Sequence, residues 1–353
     1  MRGHRFDGAQ WAAPHDAGRW PGFGRLQIGM RRPGWLKRTR ALTLLLPIIA
    51  AVPLGAEGSR HVPAFGVDVE MVNLDLAVTD RKGRLVTDLG EGEIAIFEDG
   101  VPQQIGLFTR ERWPISLSIL IDRSGSMRGT LPVAQEAAVR LLRTLRPRDQ
   151  AQVAQFNRRL GVLEDWSSDI PALEAAVRRV SAEGETALYS ALYITLKDLQ
   201  ARRREGELSR QAIVVLTDGD DTASAASDEQ VLDLARKAQV GIYAIGLTDE
   251  TQQTPAASPI PRYFLTSLTR ETGGTAFFPT KGSSLRGVYD QIAEDLRTLY
   301  GVGYVSSNPM RDGKWRSIQI QSRREDLTLR HRAGYYAAGR SPGLVLPPQA
   351  PGN

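Results

Sequence analysis

The stretch Ile115-Ser-Leu-Ser-Ile-Leu-Ile-Asp-Arg-Ser-Gly-Ser126 decides the fold. Its first seven residues are almost continuously apolar, the pattern of a parallel strand covered on both faces. Oxygen-bearing side chains follow at once. Asp122, Ser124 and Ser126 stand at i, i+2 and i+4, and Gly125 lets the chain turn sharply between them. In open α/β sheets ligands bind beyond the carboxyl ends of the strands, so this stretch predicts a central strand with a site at its tip.

Downstream, strand and helix patterns alternate. Residues 131–145 place Ala134, Ala138, Leu141, Leu142 and Leu145 on one helical face before Pro147 ends it. Strands are predicted at 151–156, with 160–163 as an antiparallel partner, and at 212–216, 241–247 and 275–278. Helices are predicted at 170–180, 187–203, 228–239 (capped by Ser227), 262–272 and 285–299. Repeated βα units with buried apolar strands imply an α/β fold with an open, doubly wound, mainly parallel sheet.

The flanks have another character. From Val67 the apolar residues recur with period two: Val67, Val69 and Met71, then Leu74, Leu76 and Val78 after a slip at Val72-Asn73. Residues 79–83 read as a turn, 84–89 and 93–98 as further strands, and Asp99-Gly100 as a hairpin signal before 101–108. Period-two patterning returns at 301–306, 315–322 and 327–332, with Asp312-Gly313 as a second hairpin signal. An economical arrangement joins 67–110 and 301–337 into one small β-sandwich with the α/β domain inserted. The expected segments are 1–56 (leader and export signal), 64–112 (first β module), 113–300 (α/β domain), 301–338 (strands completing the β module) and 339–353 (a loose Pro/Gly-rich tail).

Charge and composition narrow the function. The chain has 353 residues, 45 Lys+Arg, 40 Asp+Glu and no cysteine, which excludes disulfides, thiolate metal sites and a cysteine nucleophile. Residues 1–56 hold nine of the basic and two of the acidic residues, leaving the remainder at a net charge of −2. Such a near-neutral body has no footprint for phosphate backbones, so no nucleic-acid partner is expected. The N-terminal excess instead forms a basic region, 30–40, ahead of the apolar run 41–54 and the small residues Gly55 and Ala56. That order predicts an export signal, with a mature start near Glu57 outside the cytoplasm, secreted or periplasmic. The alternative is an uncleaved segment that anchors the chain in a membrane.

Two more loops reach the same sheet edge: Gly184-Glu-Thr186 at the start of a helix, and Thr217-Asp-Gly-Asp-Asp221 after a buried strand. Asp122, Ser124, Ser126, Thr186 and Asp218 together offer carboxylate and hydroxyl oxygens that suit a hard divalent ion such as Mg²⁺. Two formal negative charges would leave the ion electrophilic enough to take a carboxylate from a partner. Asp220 and Asp221 read either as surface acids or as support behind the ligands. His4, His15, His61 and His331 are scattered, which argues against a histidine-based metal site or triad.

Asp-x-Ser-x-Ser after a first strand, a Thr opening a later helix and Thr-Asp-Gly after a buried strand resemble the von Willebrand factor type A domain, over about residues 115–300. The resemblance implies a metal-ion-dependent adhesion site formed by Asp122, Ser124, Ser126, Thr186 and Asp218, binding Mg²⁺ (or Mn²⁺ or Ca²⁺) and, through it, the carboxylate of a protein ligand. The flanks, with Phe97-Glu-Asp-Gly-Val-Pro102 and Gly313-Lys-Trp-Arg-Ser-Ile-Gln-Ile320, resemble exported bacterial proteins of this class, often acidobacterial. The expected function is a non-enzymatic, cation-dependent binding module for adhesion or envelope scaffolding. The rivals are a metal-dependent hydrolase using Ser124, Ser126 or an activated water, and an assembly chaperone with an idle metal site.

Overall fold

The computed structural model describes residues 71–111, 113–203, 209–218, 221–247, 260–279 and 285–337. The predicted export signal, residues 67–70 of the leading strand, Asp220 and the C-terminal tail lie outside these residues. In chain order the strands begin with β1 (Met71–Asp80), β2 (Ile94–Glu98), β3 (Val101–Gln103), β4 (Ile105–Thr109), β5 (Ile115–Asp122), β6 (Gln150–Phe156) and β7 (Leu160–Ser167). They continue with β8 (Arg210–Thr217), β9 (Gly241–Gly246), β10 (Ala276–Phe277), β11 (Tyr300–Val305), β12 (Trp315–Ser322), β13 (Leu327–Arg330) and β14 (Gly334–Tyr336). The helices are α1 (Leu131–Leu142), α2 (Ile170–Arg178), α3 (Leu188–Arg202), α4 (Asp228–Ala238), α5 (Ile260–Thr272) and α6 (Leu285–Thr298).

Six strands form the central sheet in the order β10-β9-β8-β5-β6-β7, parallel except for β7. The chain leaves β5 toward β6 on one side and later returns to β8 on the other. The tips of β5 and β8 therefore flank the point where the winding reverses, where such sheets hold ligands. Helices cover both faces. Leu117, Ile119, Ile121, Val214 and Leu216 pack with α1, α2 and α6, while Leu120, Ile213, Val215 and Ile242 pack with α3, α4 and α5. Each such side chain taken fully from water contributes about 1.5–3 kcal/mol, which is why the middles of these strands are mostly apolar.

Local chemistry sets the helix ends. Ser227 Oγ accepts from Gln230 N, and the Gln230 side chain accepts from Ser227 N, so a reciprocal cap starts α4. The first helix stops at Leu142, three residues short of the sequence expectation. Thr144 N and Leu145 N turn back to Leu141 O and Leu142 O at 2.9 and 3.0 Å, tightening the last turn before Pro147.

The flanking strands build two further sheets, β13-β1-β11-β4 and β14-β12-β2-β3, each combining segments from before and after the central sheet. They share one core of Val72, Leu74, Leu76, Ile96, Val302, Tyr304, Ile318 and Ile320. Met71 faces outward, 38% exposed, so from β1 onward Val72, Leu74, Leu76 and Val78 keep one unbroken alternation. Asp99 and Gly100, at φ 48° and 79°, make the expected tight turn between β2 and β3.

Three expectations fail here. Residues 84–89 form no strand beyond a single bridge from Leu85 to Thr79, and the Tyr300 hydroxyl holds the segment instead. It accepts from Leu89 N at 3.0 Å and donates to Val86 O at 3.1 Å. The run 101–108 breaks at Gln104, sending β3 to one sheet and β4 to the other. The Asp312-Gly313 turn connects β11 with β12, which lie in different sheets, and so closes no hairpin.

The described residues belong to one unit, 66–353, tied across the boundary between the sheets by ion pairs and hydrogen bonds. Arg210 reaches Asp75 at 2.7 Å and Leu299 O at 2.9 Å, and Arg330 pairs with the buried Asp295. Among the described residues no helix is long and apolar enough to cross a membrane.

Candidate metal centre

Asp122 ends β5 with no exposed surface. Its Oδ1 accepts from Ser124 N at 2.8 Å, and its Oδ2 accepts from the Thr217 hydroxyl at 2.6 Å, which joins the tip of β5 to the tip of β8. The chain then makes a short 3₁₀ turn over Gly125–Gly129, which brings Ser124 Oγ and Ser126 Oγ within 3.0 Å of each other. Ser126 Oγ donates to Asp218 Oδ1, also at 3.0 Å. Four of the five predicted residues are thus linked side chain to side chain or through one backbone N–H.

Thr186, buried just before α3, bonds directly to none of the other four. Its backbone holds it in place. Thr186 O accepts from Thr222 N and Ala223 N at 2.9 and 3.0 Å, and Thr186 N donates to Thr222 Oγ1 at 3.2 Å. Two residues earlier, Gly184 O accepts from Gly125 N at 3.0 Å, tying this loop to the serine turn. Gly184 has φ 85°, and a Cβ there would come within 3.0 Å of the Asn157 side chain, so the position calls for glycine.

The electrostatics are one-sided. Burial pushes the Asp122 carboxyl up to about 6, against the hydrogen bonds from Thr217 and Ser124, and the Asp218 charge adds to the rise. The adjacent Arg123 pairs with Glu183 instead. Among the described residues no three His, Cys, Asp or Glu side chains converge, so a cation here would have to draw on hydroxyl oxygens. The hydroxyls bonded into this cluster belong to Ser124, Ser126 and Thr217. A buried carboxylate with no cationic partner among the described residues, bonded to a threonine hydroxyl and close to two serines, fits a hard divalent ion, whose charge would reverse the cost of burying Asp122.

Asp221 is more than a surface acid. The residue before α3 is Ala187, which offers no capping side chain. Asp221, from the loop after β8, caps the helix instead: its Oδ2 accepts from Tyr189 N at 2.7 Å and from Ser224 Oγ at 2.5 Å. Ser224 Oγ in turn accepts from Ser190 N at 2.8 Å. The missing cap residue at 187 and the Asp-x-x-Ser spacing at 221–224 were the available signals. Thr217 was quoted only as part of a motif, yet its hydroxyl orients Asp122. Asp221→Ala should cost about 1–2 kcal/mol, the usual loss of a helix cap, measurable by urea unfolding. It should also reduce any stabilisation by divalent ion, because Thr186 and Asp218 are held by the same loop. An unchanged ion effect would confine Asp221 to a purely structural role.

Residues 117–220 match the family model for the von Willebrand factor type A domain. This chain carries a von Willebrand factor type A domain. The VWA domain typically mediates protein–protein interaction or adhesion, and VWA domains often bind a divalent cation at a metal-ion-dependent adhesion site. Curated relatives include inter-alpha-trypsin inhibitor heavy chain H4 of Sus scrofa, 26% identical over 57% of this chain and 23% of its own. The heavy chain 4 protein of Mus musculus is 30% identical over 53% of this chain and 21% of its own. The chain thus spans under a quarter of the length of these relatives. Among solved structures, a VWA protein from Catenulispora acidiphila is 12% identical, covering 78% of this chain and 75% of that one, with a TM-score of 0.44. Proximal thread matrix protein 1 of the mussel byssus, solved with zinc in its MIDAS motif, is 16% identical, covering 57% and 50%, with a TM-score of 0.44.

Proposed function

We propose that the chain is an exported, divalent-cation-dependent protein-binding module, acting in adhesion or as an envelope scaffold, without catalytic turnover. The observation that carries this reading is Asp122: fully buried, bonded to Thr217 and Ser124, and given no cationic partner among the described residues. In this reading Asp122, Ser124, Ser126, Thr186 and Asp218 hold Mg²⁺ (or Mn²⁺ or Ca²⁺). The bound ion supplies an electrophilic position that a carboxylate of the protein ligand can occupy. Asp122 and Asp218 set the charge, the two serine hydroxyls orient toward one another and toward Asp218, and Asp221 steadies the loop that carries Asp218.

The domain division proposed is a leader over 1–56, a β module from 64–112 and 301–338, and the VWA domain over 113–300. The basic and apolar segments at 30–54 support export, with an uncleaved anchor as the alternative processing. Histidine chemistry lends no support to hydrolysis. His331, the one histidine among the described residues, sits in the flanking sandwich, bonded to Ile320 N at 3.2 Å and Arg332 O at 2.8 Å.

The full chain, tested against immobilised peptides that differ only in Asp/Asn or Glu/Gln, should retain acidic peptides in Mg²⁺ and release them intact in EDTA. Retention that ignores EDTA, or peptides recovered cleaved, would overturn the reading.

A further inference from the structure

We propose that the cavity at the opposite end of β5 is a second binding site, for an aliphatic monocarboxylate of the fatty-acid type. The cavity measures about 400 Å³ and lies where α1 and α6 end beside the start of β5. Seven residue steps of strand separate Ile115 at this end from Asp122 at the other, about 23 Å at 3.3 Å per step, so the two sites share no side chain.

The lining is part apolar and part cationic. Ile115, Leu141, Ala293 and Leu296 form its buried apolar part. A half-open apolar space of this size falls in the range that holds small ligands. The cationic part is Arg146, Arg148 and Arg297. Arg297 gives Nη2 to Thr144 O at 3.0 Å, whereas the Arg146 and Arg148 guanidiniums bond to no described residue. The wall holds one acid, Asp149, and its two oxygens accept from Ile115 N at 3.0 Å and Arg146 N at 2.8 Å. Its carboxylate therefore serves the backbone rather than the arginines. An apolar lining with two uncommitted guanidiniums is complementary to one class of small molecule: a hydrocarbon body ending in a single carboxylate.

The wall also carries its own reporter. Trp113 lines the cavity with its ring 5.4 Å from the Arg210 guanidinium and packed against Gly301, so its indole is fixed in place.

The test is a titration of the full chain with decanoate in EDTA, followed by calorimetry and by tryptophan fluorescence. Saturable one-to-one binding is expected, with a fluorescence change that Trp113→Phe removes. Decyltrimethylammonium, equal in chain length and opposite in charge, should not bind. Replacing Arg146 and Arg148 together by Ser should weaken decanoate by about tenfold, the worth of a charge-assisted contact. Leu145→Trp, which adds bulk at a partly buried lining residue, should abolish binding. Both arginines are exposed, so their loss tests the site without threatening the fold. Absence of decanoate binding, equal binding of the cationic chain, or binding unchanged in Leu145→Trp would each overturn the proposal.

Discussion

Addition of about 10 mM Mg²⁺ or Mn²⁺ should raise the thermal midpoint of the full chain by a few degrees, and Asp122→Asn should abolish the rise. An ion that binds only the folded loops stabilises by RT ln(1 + [M]/Kd). With a sub-millimolar Kd this is on the order of 1–3 kcal/mol, or a few degrees in a chain of this size. Asparagine is the sharper substitution because Asp122 is more than a charge. Alanine would strand the Thr217 hydroxyl and Ser124 N–H in a buried place, whereas an amide can still bond to both. Ser124→Ala and Thr186→Ala should weaken the shift only in part, since water can replace a neutral ligand. Calorimetric scans with and without EDTA decide the matter. Equal ion-induced shifts in the wild type and Asp122→Asn would place the ion elsewhere.

The central sheet and the candidate site at its edge were legible because one physical demand shaped both. Strands buried on two faces must be nearly continuously apolar, so 115–121 and 212–216 stand out, and the first polar residue after each marks the strand tip. The five oxygen-bearing residues are then found by position along the chain. Asp221 escaped because its task is defined by another element. Nothing in its own neighbours says that α3, thirty-odd residues earlier, lacks a cap, and only the folded loop brings its carboxylate to Tyr189 N.

The flanking strands were legible as strands and poorly legible as sheets. Period-two patterning says which face of a strand is buried, and it says nothing about which of two stacked sheets receives it. Val101–Gln103 and Ile105–Thr109 are adjacent in sequence yet pair in different sheets, and only the break at Gln104 marks the switch. The segment 84–89 has the apolar spacing of a strand, but Tyr300 satisfies its backbone through a side-chain hydroxyl, a long-range substitute that no local pattern announces.

The largest loss of stability is expected from Arg316→Met. Glu98, 2% exposed on β2, and Arg316, 3% exposed on β12, form an ion pair at 3.1 Å inside the flanking sandwich. Tyr304 and Tyr335 donate their hydroxyls to Glu98 Oε2 at 2.8 and 2.9 Å, and Ser306 donates to Oε1 at 2.6 Å. Arg316 also donates to Asn308 O at 2.9 Å and to Met310 O. Burial and the bond to Glu98 hold both tyrosines above their ordinary range; burial opposes the Arg316 charge, but Glu98 and Tyr335 outweigh it. With methionine at 316 the carboxylate stays buried without its cation. Breaking one side of such a pair costs about 3–5 kcal/mol, which in a chain of this size lowers the midpoint by on the order of 10 °C. Removing both charges with Glu98→Leu and Arg316→Met should recover part of that, since the uncompensated charge is gone. The network joins Glu98, before the central sheet, directly to four side chains after it. Hydrogen exchange should therefore speed up in β2 as well as in β12, although more than two hundred residues separate Glu98 from Arg316. If Arg316→Met costs under about 1 kcal/mol, or β2 stays as protected as before, the two segments do not hold each other through this pair.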